Sequence, residues 1–121
     1  MKPKTWVALG ALAGFFAVAL GAFGAHGLKT RVDAEHLSIW NTAVHYHALH
    51  ALALVAFGLW RERSPGSGIP GHGFLIGILL FSGSLYALAL GGPTWLGPIT
   101  PLGGIAFLIG WLGLALSALR K

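Results

Sequence analysis

The Lys, Arg, Asp and Glu side chains of this 121-residue chain sit at its two ends and in two short loops. Three blocks between them carry no charged residue at all: 5–28, 36–60 and 64–119. The first two are each long enough to cross a bilayer once and the third twice, since a spanning helix needs ~20 mostly apolar residues. Only 9% of residues are charged and 55% are hydrophobic, against about 25% charged in soluble domains. A soluble domain this short has no interior large enough for that much apolar surface. Strands of a membrane barrel alternate polar and apolar residues, and these blocks do not. The expected fold is therefore all-α: one domain over residues 1–121, an integral membrane four-helix bundle with spans at about 6–25, 37–60, 73–90 and 99–119.

Punctuation supports those limits. Ser38 or Asn41 is placed to help the second helix start. Residues 61–71 form a Pro/Gly/Ser loop that is not helical throughout, and Gly91, Gly92 and Pro93 end the third helix. Thr100 is expected to cap the fourth, with Pro101 in its first turn. The N-terminal run also looks like a signal peptide, but it is longer than a usual signal core and is read as a retained span.

The basic residues come in pairs at the ends of apolar runs. Lys2, Lys4, Arg61, Arg63, Arg120 and Lys121 fall on the side of the termini, and only Lys29 and Arg31 on the other. The positive-inside rule then places both termini in the cytoplasm. Scattered pairs of this kind suit lipid headgroups rather than nucleic acid. Trp6, Trp40, Trp60 and Trp95 fall near span ends, where indoles prefer the interface, whereas Trp111 breaks the pattern. With no cysteine, disulfides and thiolate sites are excluded.

Lipid tails are as apolar as leucine, so helix association must come from close packing at small residues. Gly10, Gly14, Ala17, Gly21 and Ala25 make one stripe on the first helix. Gly103, Ala106, Gly110, Gly113 and Ser117 make another on the fourth, and Gly73 and Gly77 a shorter one on the third. They read as contacts inside the bundle, with a homo-oligomer interface as the alternative, and leucine at Gly14 or Gly110 is expected to disrupt assembly.

Any chemistry lies on the second helix, whose first half carries Asn41, Thr42, His45, Tyr46, His47 and His50. His50 is near mid-depth. Ser82 and Ser84 of the antiparallel third helix are expected level with it, and Tyr86 level with His45. Unpaired polar groups in hydrocarbon cost several kcal/mol, so the two sets are expected to meet. The candidate ligand-binding or polar network is His26, Thr42, Tyr46, His47, His50, Ser82, Ser84 and Tyr86. It serves as interhelical glue, or as a site for a lipid-like or small ligand or for protons. A metal site is the further alternative, but His47 and His50 supply only two donors and no metal or other cofactor is assigned. No serine has an acid–base pair in reach, so hydrolase chemistry is not expected.

Four stretches carry a family resemblance: residues 21–27 (GAFGAHG), 42–50 (TAVHYHALH), 81–86 (FSGSLY) and 98–104 (PITPLGG). In this order they resemble a widespread bacterial family of small integral membrane proteins of unknown function, similar to eukaryotic transmembrane protein 256. The resemblance implies a four-helix inner-membrane protein without an established activity. Its recurrent positions correspond to His26, Thr42, Tyr46, His50, Ser82, Gly83, Tyr86, Pro101, Gly103 and Gly104. The family pattern often has glutamine where this chain has His47, which disfavours a family-wide metal site there and leaves His50 and Tyr86 as the better candidates for a shared role. A non-enzymatic membrane protein is expected, with a polar intramembrane site. The alternatives are an accessory subunit of a larger membrane complex and a histidine-based metal-handling protein.

Overall fold

The computed structural model describes residues 1–120, so Lys121 of the basic count lies outside the described residues. Among those residues there are no strands, and four helices are long and apolar enough to cross a membrane: α1 Pro3–Leu28, α2 Ala34–Arg61, α3 Ile69–Ala89 and α4, which runs Ile99–Leu119 after a short 3₁₀ turn at Thr94–Leu96. Three begin earlier than their apolar runs suggest, for local reasons. Pro3 sits in the first turn of α1 and Pro70 in that of α3, where a missing N–H costs nothing. Asp33, rather than Ser38 or Asn41, caps α2: its carboxylate accepts the His36 N–H at 2.8 Å. That backbone bond, and the His36 ring 2.7 Å away, hold the exposed carboxyl below its ordinary pKa. Thr100 does not cap α4; its hydroxyl is used elsewhere, as described below.

The helices form two hairpins. α1 packs chiefly on α2 and α4 chiefly on α3, and α2 and α3 join the pairs. Glycines set both close approaches. A Cβ on Gly10 would lie 2.7 Å from the Val55 nitrogen and 2.9 Å from the Ala51 carbonyl oxygen. One on Gly58 would meet the backbone of Val7 and Pro3 in the same way. In the second hairpin a Cβ on Gly73 would lie 2.8 Å from the Ala106 carbonyl, one on Gly110 2.7 Å from the Phe74 ring, and one on Gly103 would overlap the Phe81 backbone. Gly21 is tight only against a Val44 methyl, at 3.2 Å. Gly14 and Gly113 differ from the expectation: their nearest neighbours would be at 3.9 and 3.4 Å, ordinary van der Waals contact.

A buried cluster of Trp6, Leu54, Phe57, Phe74, Ile78 and Phe107 fills the half of the bundle near the chain ends, and a smaller one around Leu28, Trp40 and Ala89 the other half. The outward faces are apolar, with Phe15, Val18, Leu52, Leu79, Leu108 and Leu112 exposed, as a lipid environment demands. Gly58 packs on Pro3, Gly71 on Trp6 and Gly113 on Pro70, so the N-terminus, the α2–α3 loop and the end of α4 share one end of the bundle. This basic end carries Lys2, Lys4, Arg61, Arg63 and Arg120.

Two helices contain a π turn, Gly24–Leu28 in α1 and Ile78–Ser82 in α3. A π turn inserts about one extra residue and rotates the following segment by roughly 100° relative to an uninterrupted helix. In α3 it sits where Ser82 and Tyr86 must reach α2.

Gly10→Ala is expected to destabilise the protein by about 1–3 kcal/mol, because rigid backbone on α2 cannot yield. Gly14→Ala should be neutral or gain up to ~1 kcal/mol from helix propensity. Unfolding of the detergent-solubilised variants checks this; equal effects at the two positions would mean that α1 and α2 do not meet as described.

Candidate functional site

The middle of α2 sends its two buried histidines to different neighbours, as their offset of about 60° around the helix requires. His47 turns toward α3, where its Nδ1 and the Tyr86 hydroxyl share a 2.8 Å hydrogen bond. His50, only 2% exposed, turns toward α4. Its Nδ1 lies 2.7 Å from the Tyr46 carbonyl oxygen and must donate to it, because a carbonyl only accepts. Nε2 is then free to accept, and the Trp111 indole N–H donates to it at 3.0 Å. The ring also stacks on Phe107, with centroids 3.6 Å apart and planes 11° from parallel. His50 is thus a neutral imidazole with both nitrogens engaged, which is what the hydrocarbon region favours.

Ser82 is not level with His50. Its hydroxyl donates to the Ala43 carbonyl at 2.8 Å, nearly two turns closer to the opposite end of α2. The start of α3 at Ile69 moves its centre toward residue 79, which slides Ser82 and Tyr86 outward relative to α2. Tyr86 accordingly packs on Trp40, with ring centroids 4.7 Å apart, and reaches His47 with its hydroxyl. Ser84 faces the other way and bonds the Thr100 hydroxyl of α4 at 2.5 Å. Tyr46 packs its ring on Phe81, lies parallel to the His50 ring and accepts the His50 hydrogen bond with its carbonyl. Thr42 donates to the Ser38 carbonyl of its own helix. His26 is exposed in the π turn of α1 and joins none of the others.

The candidate residues therefore form separate pairs. No group of three His, Cys, Asp or Glu side chains converges among the described residues, so the histidine-metal reading finds no donor set. The pairs also share no side-chain atoms, so no side-chain relay runs from one histidine to the other.

One of the pairs opens onto a groove. Between α1 and α3 lies a cleft of about 340 Å³, walled by Leu9, Ala13, Phe16, Ile78 and Leu79, with His47 and Tyr86 its polar members. Gly83 also lines it, and a Cβ there would meet nothing within 4 Å. Packing does not explain that glycine, although glycine inside a helix costs about 1 kcal/mol relative to alanine. Nothing in the sequence pointed to the groove, because it needs the separation of α1 from α3.

Two partners were also not among the candidate residues. Trp111 had a usable signal, an indole far from either interface that needs an acceptor. Trp40 fits an interfacial position but donates to the Leu20 carbonyl at 2.9 Å, tying α2 to α1 beside Gly24.

Comparison with known proteins finds relatives of nearly the same length in several bacteria. The model of a family described as a protein of unknown function, DUF423, matches residues 20–104. The chain is similar to the UPF0382 membrane protein YwdK of Bacillus subtilis, 43% identical over 120 residues covering 97% of this chain and 98% of the relative. It is similar to a UPF0382 membrane protein of Haemophilus influenzae, 46% identical over 122 residues covering 100% and 98%. A UPF0382 membrane protein of Staphylococcus epidermidis is 44% identical over 119 residues, 97% of each chain. No solved structure matches.

Trp111→Phe removes the donor to His50 while keeping an aromatic ring. It is expected to destabilise by about 0.6–1.7 kcal/mol, the span of measured intramembrane hydrogen bonds. In a double-mutant cycle with His50→Leu the two effects should be non-additive; strict additivity would mean that the contact is not formed.

Proposed function

We propose a binding function for this chain, which belongs to the DUF423 family of membrane proteins of unknown function: an amphiphile from the bilayer enters the α1–α3 groove and presents its polar group to His47 and Tyr86. The observation that carries this reading is bare space at Gly83 in an apolar cleft with two converging polar side chains. Small-molecule sites have this make-up, mostly apolar walls with a few polar groups that orient the ligand. The groove faces hydrocarbon, so the occupant arrives from lipid. Binding is preferred over proton passage because the histidines sit in separate pairs. The excess of Lys and Arg at the end carrying the termini supports a bacterial inner membrane location with that end in the cytoplasm.

A leucine at Gly83 fills the groove without disturbing a packed contact. Native mass spectrometry of protein taken from its own membranes is expected to show a bound amphiphile. Gly83→Leu should lose it with stability unchanged or raised by up to ~1 kcal/mol, and Tyr86→Phe should weaken its retention several-fold. If Gly83→Leu retains the same adduct, or the wild type carries none, the groove is not a binding site.

A second reading, that the chain is a subunit of a homo-oligomer or a larger complex, rests on a different face. Ser38, Asn41, Thr42 and His45 line a shallow open cleft on the outer half of α2. Thr42 is satisfied by its own helix, whereas Asn41 and His45 are exposed. Polar groups facing lipid at this depth are costly, and a partner helix would cover them. The glycine stripes do not add to this reading, since Gly10, Gly103 and Gly110 are occupied within the chain. Because the chain has no cysteine, Asn41→Cys introduces a single thiol. In membranes it should cross-link to a second copy or to another membrane protein, and a persistently free, lipid-accessible thiol would remove this reading.

A further inference from the structure

Among the described residues, the most confined charge lies at the basic end of the bundle. Arg61, the last residue of α2, is only 7% exposed. Its Nε donates to the Ser67 carbonyl at 3.1 Å and its Nη2 to the same oxygen at 2.5 Å, while Nη1 donates to the Ser64 carbonyl at 2.7 Å. Phe57 and Trp60 hold the guanidinium by their ring faces, with centroids 4.8 and 4.7 Å from Cζ. The α2–α3 loop lies directly over it: a Cβ on Gly66 would sit 3.2 Å from Nη2.

These contacts are with neutral groups. Among the described residues no Asp or Glu side chain pairs with Arg61, and its chain neighbour Glu62 is exposed and unpaired. A guanidinium has five N–H donors, and the contacts above engage one on each nitrogen. One donor on Nη1 and one on Nη2 are left for a further acceptor. Burying a guanidinium among neutral acceptors is costly, and an anion on its two remaining donors would lower that cost.

The surroundings say which anion fits. Arg61 lines a cleft of about 430 Å³ between the α2–α3 loop and the end of α4, together with Ser64, Ser67, Ser117 and a second cation, Arg120. Two guanidinium groups and several hydroxyls with no carboxylate in the lining match the oxygens of a phosphate. Ser67, Ser117 and Arg120 also line a second, smaller furrow of about 130 Å³, whose other walls are Ile69, Pro70, Gly113 and Leu116. The polar cleft thus continues into an apolar furrow along the α3–α4 seam. Gly113 leaves that furrow open, a role its place in the small-residue stripe did not suggest.

We propose that this cleft binds the phosphate of an anionic phospholipid headgroup, held between Arg61 and Arg120, with an acyl chain laid in the furrow beside Gly113. The Trp60 ring in the cleft wall marks headgroup depth. Headgroup binding fixes the α2–α3 loop against the end of α4, so lipid composition at the basic end sets how firmly the two hairpins are held together.

The test uses the full chain in detergent micelles doped with phosphatidylglycerol, with phosphatidylcholine, or with neither plus inorganic phosphate, reading thermal stability and lipid retention. Phosphatidylglycerol is expected to stabilise the protein at least fivefold more effectively, by half-saturating concentration, than phosphatidylcholine. Arg120→Gln, an exposed position outside the core, should abolish that preference without changing stability in lipid-free micelles. Gly113→Leu, which blocks the furrow, should weaken phosphatidylglycerol but leave any effect of inorganic phosphate unchanged. Equal response to the two lipids, or an unaltered preference in Arg120→Gln, overturns the proposal. Stabilisation by inorganic phosphate with no lipid preference overturns the lipid assignment in favour of a soluble anion. Arg61→Lys, which keeps the charge but loses the fork, should reduce the preference several-fold.

Discussion

A helix carbonyl that already accepts one backbone N–H has a second lone pair, and in a bilayer that spare acceptor is the nearest substitute for water. Much of this fold hangs on it. His50 donates to the Tyr46 carbonyl, Ser82 to Ala43, Trp40 to Leu20 and Thr42 to Ser38. The Ser82 and Trp40 bonds run between helices: the short serine requires close backbones, and the indole of Trp40 fits over Gly24, where a Cβ would clash with it. Glycine packing sets the spacing within each hairpin, while the Ser82 bond ties the two hairpins together across α2 and α3.

The glycine contacts divide the molecule into two tight hairpins joined across α2 and α3. The junction is where the polar pairs lie, His47 with Tyr86 on one side and His50 with Trp111 on the other. It is also where the π turn of α3 falls, between Gly77 and Gly83. π turns often mark functional positions, and here the turn precedes the residue that leaves the α1–α3 groove open. Incomplete closure between the hairpins makes that groove, and the α2–α3 loop with the end of α4 makes the arginine cleft.

The polar residues of the bundle interior were legible in the sequence, whereas their pairings were not. That His47 and His50 diverge follows from helix geometry and was legible. That Ser82 would miss His50 was not, because the register depends on where α3 begins, and Ser67 and Pro70 draw that start into what reads as a loop. Gly14 and Gly10 look alike in a stripe, yet only Gly10 meets rigid backbone. Arg61 looked like one of several topology signals, since nothing local distinguishes a buried arginine from an exposed one.

The sequence by itself determined that the chain is helical, crosses the membrane four times and keeps its charges at the ends, because charge-free runs of that length have no other stable environment. Tertiary structure alone decided which polar group meets which, which glycine is indispensable, and where the bundle stays open. Those outcomes depend on helix starts, a one-residue π insertion and the spacing of non-adjacent helices, all set by contacts between residues distant in the chain.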